Sequence, residues 1–208
     1  MTENPLVPLI ASGEADRTTT LAALALEQSW VIPADRRAFL HLARRATPDA
    51  PESAAFFTLL AEGEVLAGER LGAFATACGV TEARAAAYEP LPGCQAYPAY
   101  VAWLALNASP PEAVLALTVN FAAWGGYCAT IAEALRRHYG FTDEACAFFD
   151  FFAEPSPELD RQAQAALEEG KPDESRGHEY GRLLQSYENQ FWSTLSGRTP
   201  QGRGELRD

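Results

Sequence analysis

Large apolar residues recur at alternating steps of four and three through residues 109–140. Leu117, Phe121, Trp124, Cys128, Ile131 and Leu135 form one continuous stripe, the pattern of a helix with a buried face. Ser109-Pro110-Pro111-Glu112 predicts its start, with a capping hydroxyl, proline at the first helical position and a carboxylate placed for a capping box. Arg136, Arg137 and His138, then Gly140, predict its stop. A second stripe of small residues, Ala122, Gly126 and Ala129, runs beside the first and ends at Glu133. Such residues either admit a tightly packed neighbour or leave room for a ligand.

The same periodicity organises the rest of the chain. Residues 1–16, with prolines and Gly13 among mixed polarity, read as a flexible N-terminal arm. Leu21, Leu24, Leu26 and Trp30 predict a helix over 18–30, which Pro33 interrupts, and Phe39, Leu40 and Leu42 predict a second over 34–46. Phe56, Phe57, Leu60, Leu71 and Phe74 predict one long helix over 51–78, closed by Gly79. Within it Glu62, Glu64 and Glu69 interleave with Gly63 and Gly68. Glycine inside a helix costs about 1 kcal/mol relative to alanine, so the pair points to a close neighbour or a ligand. Further helices are expected at 81–88, 95–108 (Tyr97, Tyr100, Trp103 and Leu104), 145–153 behind a Thr142 cap, and 157–170 ended by Gly170. The last, over 173–195, is expected to bury Tyr180, Leu184, Tyr187, Phe191 and Leu195, and 196–208 reads as a disordered tail. No segment reads as a strand. The expected class is all-α, a single compact helical bundle over 17–195.

Composition narrows the function. The chain has 208 residues and a net charge of −12, which disfavours binding to nucleic-acid phosphates. Cys78, Cys94, Cys128 and Cys146 have no metal-like spacing and fall mostly among apolar neighbours. They read as buried free thiols of a cytoplasmic protein without a signal peptide. No membrane span is expected, because Asn120 and then glycines break the apolar run at 113–119. His41, His138 and His178 are scattered and read as surface or boundary residues, so neither a metal nor a cofactor is expected. The remaining chemistry is aromatic and acidic, suited to stacking a flat ring and binding its N–H or amino groups.

The final helix reads Tyr187-Glu188-Asn189-Gln190-Phe191-Trp192, which resembles the closing Y-E-x-x-F-W segment of the TenA/thiaminase II family. The resemblance extends over about residues 20–195. Residues 151–159 are similar to that family's aromatic segment before its penultimate helices. Trp124 and Tyr127 fall on the aromatic part of its P-C-x-W-x-Y motif. Tyr97 corresponds to a substrate-stacking tyrosine, and residues 57–64 to the F-x-x-x-L-x-Q-D region. The resemblance implies a haem-oxygenase-like bundle. It also marks departures: Ala122 stands where the enzymes carry a nucleophilic cysteine, Gly126 where they have a tyrosine, and Val65 where another tyrosine follows the active-site aspartate, whose nearest counterpart is Glu62. Cys128, six residues on, is turned about 240° around the helix from Ala122 and cannot replace the thiol.

These readings imply a pocket between the helices at 51–78, 95–108, 109–139 and 173–195. Glu188 and Glu62 are its expected polar anchors or catalytic groups, and Tyr97, Trp124, Ala122, Gly126 and Tyr127 its ligand-binding lining. The expected partner is a small heteroaromatic (pyrimidine- or thiamine-related) or amphipathic molecule, either only bound or hydrolysed without covalent cysteine catalysis. Neither nucleic acid nor membrane is an expected partner, and a homo-oligomer is. One alternative is a haem- or iron-dependent oxidoreductase of the same fold, which requires His41 or His178 to face the interior. Another is a non-catalytic oligomeric interaction protein whose pocket is filled by side chains.

Overall fold

The computed structural model describes residues 4–197, except for the side chain of Ala122. The fold is all-α, with no strand among the described residues. In chain order the helices are α1 (Leu6–Ala11), α2 (Ala22–Ala46), α3 (Pro51–Ala77), α4 (Glu82–Ala86), α5 (Pro92–Asn107), α6 (Pro110–Tyr139), α7 (Asp143–Ala153), α8 (Pro157–Gly170) and α9 (Glu174–Ser196). A π-helical turn, Arg17–Leu21, leads into α2.

The two ends of α6 form as their residues dictate. Ser109 and Glu112 make the reciprocal capping box, and Gly140 closes the helix in the left-handed conformation at φ 65°. By length and composition alone α6 is apolar enough to cross a membrane. In the fold it packs against α9, α7, α8 and α1, and Arg136 ties it to α7 through Asp143 at 2.8 Å and Asp150 at 2.6 Å.

Two expectations are corrected, at the N-terminal arm and at Pro33. Where a flexible arm was expected, α1 places Leu6, Val7 and Ile10 in the core, and Asn4 Oδ1 accepts from the Leu6 and Val7 amides at 3.0 and 3.2 Å. Pro33 does not interrupt α2, which runs continuously past it. The proline faces solvent, as do Ser29 and Trp30 one turn earlier, so water can satisfy the carbonyl that loses its amide partner. Gly170 is the last helical residue of α8, and Lys171 adopts the left-handed cap at φ 45°. Glycine is required there because a Cβ would collide with the Pro111 ring. Of the expected tail, residues 198–208 lie outside the described residues.

Two apolar clusters fill the bundle. One gathers α1, the start of α2, the ends of α3, α6 and α9, and α7, with Phe74, Phe148, Phe149 and Trp192 among its largest members. The other gathers the end of α2, the starts of α3 and α6, α5, α8 and Leu184 of α9. Tyr97 packs against both. The space left where the clusters meet is the candidate site.

Candidate functional site

A cavity of about 1130 Å³ opens between α2, α3, α6, α9 and the α7–α8 connection. Its inner wall carries Asp35 from α2, Glu64 from α3, Tyr97 from α5 and Glu188 from α9. Phe39, Phe121, Trp124, Phe151 and Phe152 supply much of the apolar surface.

Close helix packing positions Glu188. A Cβ on Gly177 would lie 2.6 Å from Leu115 Cδ2, and one on Gly181 would lie 2.5 Å from Val119 Cγ2. The two glycines therefore let α9 seat directly on α6. Glu188 is 7 % exposed. Trp192, one turn later on the same face, donates from Nε1 to Glu188 Oε1 at 3.1 Å, and Gln185 Nε2 donates to Oε2 at 3.3 Å. Trp192 is in turn held by Trp124 (centroids 5.8 Å apart), Phe191 (5.4 Å) and the edge of Tyr127 (6.0 Å). Burial raises the Glu188 pKa above its ordinary value, and the Trp192 and Gln185 hydrogen bonds limit the rise.

Asp35 is the second buried acid, 3 % exposed. Burial pushes its pKa up to about 8, opposed by a hydrogen bond with Tyr97. Its Oδ1 has no hydrogen-bond partner. Glu64 faces the same space, and its pKa is raised well above the ordinary value, first by burial and then by the charge of Asp35. The Tyr97 hydroxyl is pushed well above its ordinary range by burial and by the charges of Asp35, Glu188 and Glu64, so this one ring stands among all three carboxyls. Near the mouth lie Glu62 and, along the α7–α8 side, Glu154, Glu158, Asp160 and Glu168. Among the described residues lining the cavity there is no lysine, arginine or histidine. Such a wall favours cations and hydrogen-bond donors and repels anions.

A family model described as the TENA/THI-4/PQQC family matches residues 47–198. The chain belongs to this family. Its all-helical architecture agrees with the haem-oxygenase-like bundle of the TENA/THI-4/PQQC proteins. No curated protein matches the chain.

In this TenA-family bundle the residues singled out from the sequence separate. Glu188, Tyr97, Trp124, Gly126 and Glu62 all line the cavity. Glu62 is exposed, because it lies off the buried stripe of α3. Glu64 falls in that stripe, between Phe57 and Ala61 on one side and Ala67 and Leu71 on the other. Tyr127 is not a lining residue but stands behind Trp192. The side chain of Ala122 lies outside the described residues. Of the small stripe, Gly126 faces the cavity as expected, whereas Ala129 and Glu133 are exposed and do not lie between helices. Small residues pack as readily at a surface as inside, so their spacing alone did not fix the side they face. Neither Gly63 nor Gly68 is forced by contact, because a Cβ would lie 3.9 Å from Phe151 and 3.6 Å from Ile32 respectively, both ordinary distances.

All four cysteines are buried free thiols, and none is among the described lining residues. Burial pushes the pKa of each described thiol with a resolved shift upward, Cys78 to about 12 and Cys128 well above its ordinary value, the opposite of an activated nucleophile. His41, His138 and His178 are exposed and outside this cavity. The inward-facing histidine that the iron or haem alternative required is therefore missing from the wall.

The sequence reading missed Asp35, Glu64, Gln28 and Asn120 as lining residues. The signal for Asp35 was present: Ile32, Asp35, Phe39 and Leu42 recur at helical spacing, with an acid in an otherwise apolar stripe. Reading Pro33 as a break places Asp35 in the first turn of a separate amphipathic helix and cuts it off from Ile32 in the same stripe.

Proposed function

We propose that this TenA-family chain binds a small cationic heteroaromatic or amphipathic molecule in the acid-lined cavity. Glu188 is the polar anchor, and Trp124 and Tyr97 are the walls against which the apolar body rests. One observation carries the reading: Glu188, buried and fixed by Trp192 at 3.1 Å, opens onto a cavity of about 1130 Å³, of the size that small-molecule sites occupy. A buried carboxylate without a cation in the protein gains most from a ligand that brings one.

If a bond is broken here, the route is hydrolytic and non-covalent. Water is the nucleophile, and Glu188, whose pKa is raised by burial, takes its proton and returns it to the leaving group. Ala122 at the position of the family's nucleophile supports this over a thiol route.

Calorimetric titration of the wild type and Glu188→Gln with thiamine and with 4-aminopyrimidine tests the reading. Saturable binding is expected, weakened about tenfold or more in the variant, the size of a lost charge-assisted hydrogen bond. The reading fails if neither compound binds or if both bind the variant as they bind the wild type.

A further inference from the structure

The cavity is larger than a single ring requires, and its inner acids are more numerous than one anchor needs. Asp35 and Glu64 approach it from α2 and α3, on the wall formed by helices other than the one that carries Glu188. Asp35 is nine-tenths buried or more, lines the cavity, and leaves Oδ1 without a hydrogen-bond partner. The group facing both is Tyr97, whose hydroxyl supplies a hydrogen bond to Asp35 and cannot supply a positive charge.

We propose that Asp35, Glu64 and Tyr97 form a cation subsite for the protonated amine of an amphipathic ligand longer than one ring. The ammonium sits between the two carboxyls, with Tyr97 beside it. The apolar body runs along Phe39, Phe121 and Phe152 toward the α7–α8 side, where Glu154, Glu158, Asp160 and Glu168 draw cations to the entrance. This assignment rests on the ligand-binding reading above and adds to it the chemical class of the ligand.

The electrostatics agree with that placement. With the cavity empty, burial raises the pKa of both carboxyls, that of Asp35 to about 8, which favours their protonated, uncharged forms. An ammonium replaces those protons, and its three donors match the unpartnered Asp35 oxygen and the Glu64 carboxyl. An alcohol of the same shape brings neither the charge nor the extra donors.

Tryptamine and tryptophol test this, since they share the indole and the two-carbon arm and differ only in ammonium against hydroxyl. Calorimetry at neutral pH is expected to show tryptamine binding the wild type at least about tenfold more tightly than tryptophol, as charge-assisted hydrogen bonds add to neutral ones. In Asp35→Asn the preference is expected to shrink. In Asp35→Asn/Glu64→Gln it is expected to fall to within about twofold through loss of tryptamine affinity, in a variant whose cooperative melting shows that it is folded. Equal binding of the two probes to the wild type, no binding of either, or a preference that survives the double substitution overturns the proposal. Amine preference that ignores Asp35 and Glu64, together with thiamine binding lost in Glu188→Gln, overturns the subsite alone and leaves the Glu188 reading standing.

Discussion

Glu27 and Asp35 are both buried carboxyls on α2, about two turns apart, yet the protein treats them in opposite ways. Glu27 is fully enclosed and fully partnered. Its Oε1 accepts from the Tyr88 hydroxyl at 2.5 Å and the Leu91 amide at 2.7 Å, and its Oε2 accepts from Gln95 Nε2 at 2.8 Å. It thereby ties the connection between α4 and α5 to α2. Asp35 has Tyr97 beside it, an oxygen without a partner, and open space in front. Burial alone therefore does not mark a functional acid. The donor count separates the two: three donors make Glu27 part of the scaffold, whereas Asp35 Oδ1 accepts from none and faces the cavity.

The largest effect that sharpens this contrast is expected from Glu27→Ala. It removes the carboxyl that accepts from Tyr88, Leu91 and Gln95, and a loss of roughly 3 kcal/mol or more is expected in denaturant unfolding. Tyr88→Phe removes one of those hydrogen bonds and is expected to cost about 1–3 kcal/mol by the same measurement. Asp35→Asn is expected to move stability by no more than about 1 kcal/mol below about pH 4, where the carboxyl is protonated in both folded and unfolded states, and to be stabilising at pH 7, where folding of the wild type takes up a proton that the amide does not need. A loss from Asp35→Asn as large as that from Glu27→Ala would erase the distinction.

The pH dependence gives a finer test. The Asp35 pKa rises from 3.8 to about 8 on folding, so between these values the native state holds a proton that the unfolded state has released. The Asp35 contribution is therefore lost progressively as pH rises from about 4 to about 8 and is constant above that range. Asp35→Asn is expected to flatten the slope of unfolding free energy over this window. The slope does not vanish, because Glu64 and Glu188 are shifted in the same direction. An unchanged slope would mean that Asp35 is ionised in the empty protein. Tyr97→Phe is expected to have the smallest effect, a loss below about 1 kcal/mol, since it removes one neutral donor next to a protonated acid.

Local chemistry made most of the bundle readable in the sequence. The capping box of Ser109 and Glu112, the left-handed Gly140 and Gly79, and the Thr142 and Asp173 caps each settle a helix end within a few residues. Glu188 and Trp192 could be named because they share one turn of one helix, so sequence spacing already places them together. Asp35 and Glu64 meet only across α2 and α3, and no spacing along the chain expresses that. The rule that proline breaks helices failed at Pro33 for a local reason, its outward-facing position, and that single misreading removed Asp35 from view. The α1 segment was similarly lost, because six residues carry too little periodicity to announce a helix whose burial comes from the partners it docks against.

The central claim is that the acid-lined hollow between the two apolar clusters receives a cationic ring against Glu188. A crystal structure of the protein grown with thiamine tests it most directly. The ring is expected inside the cavity, lying against Trp124, with an amino group or ring nitrogen within hydrogen-bond distance of Glu188. A cavity closed by side chains, or a ring bound elsewhere on the protein, would contradict it.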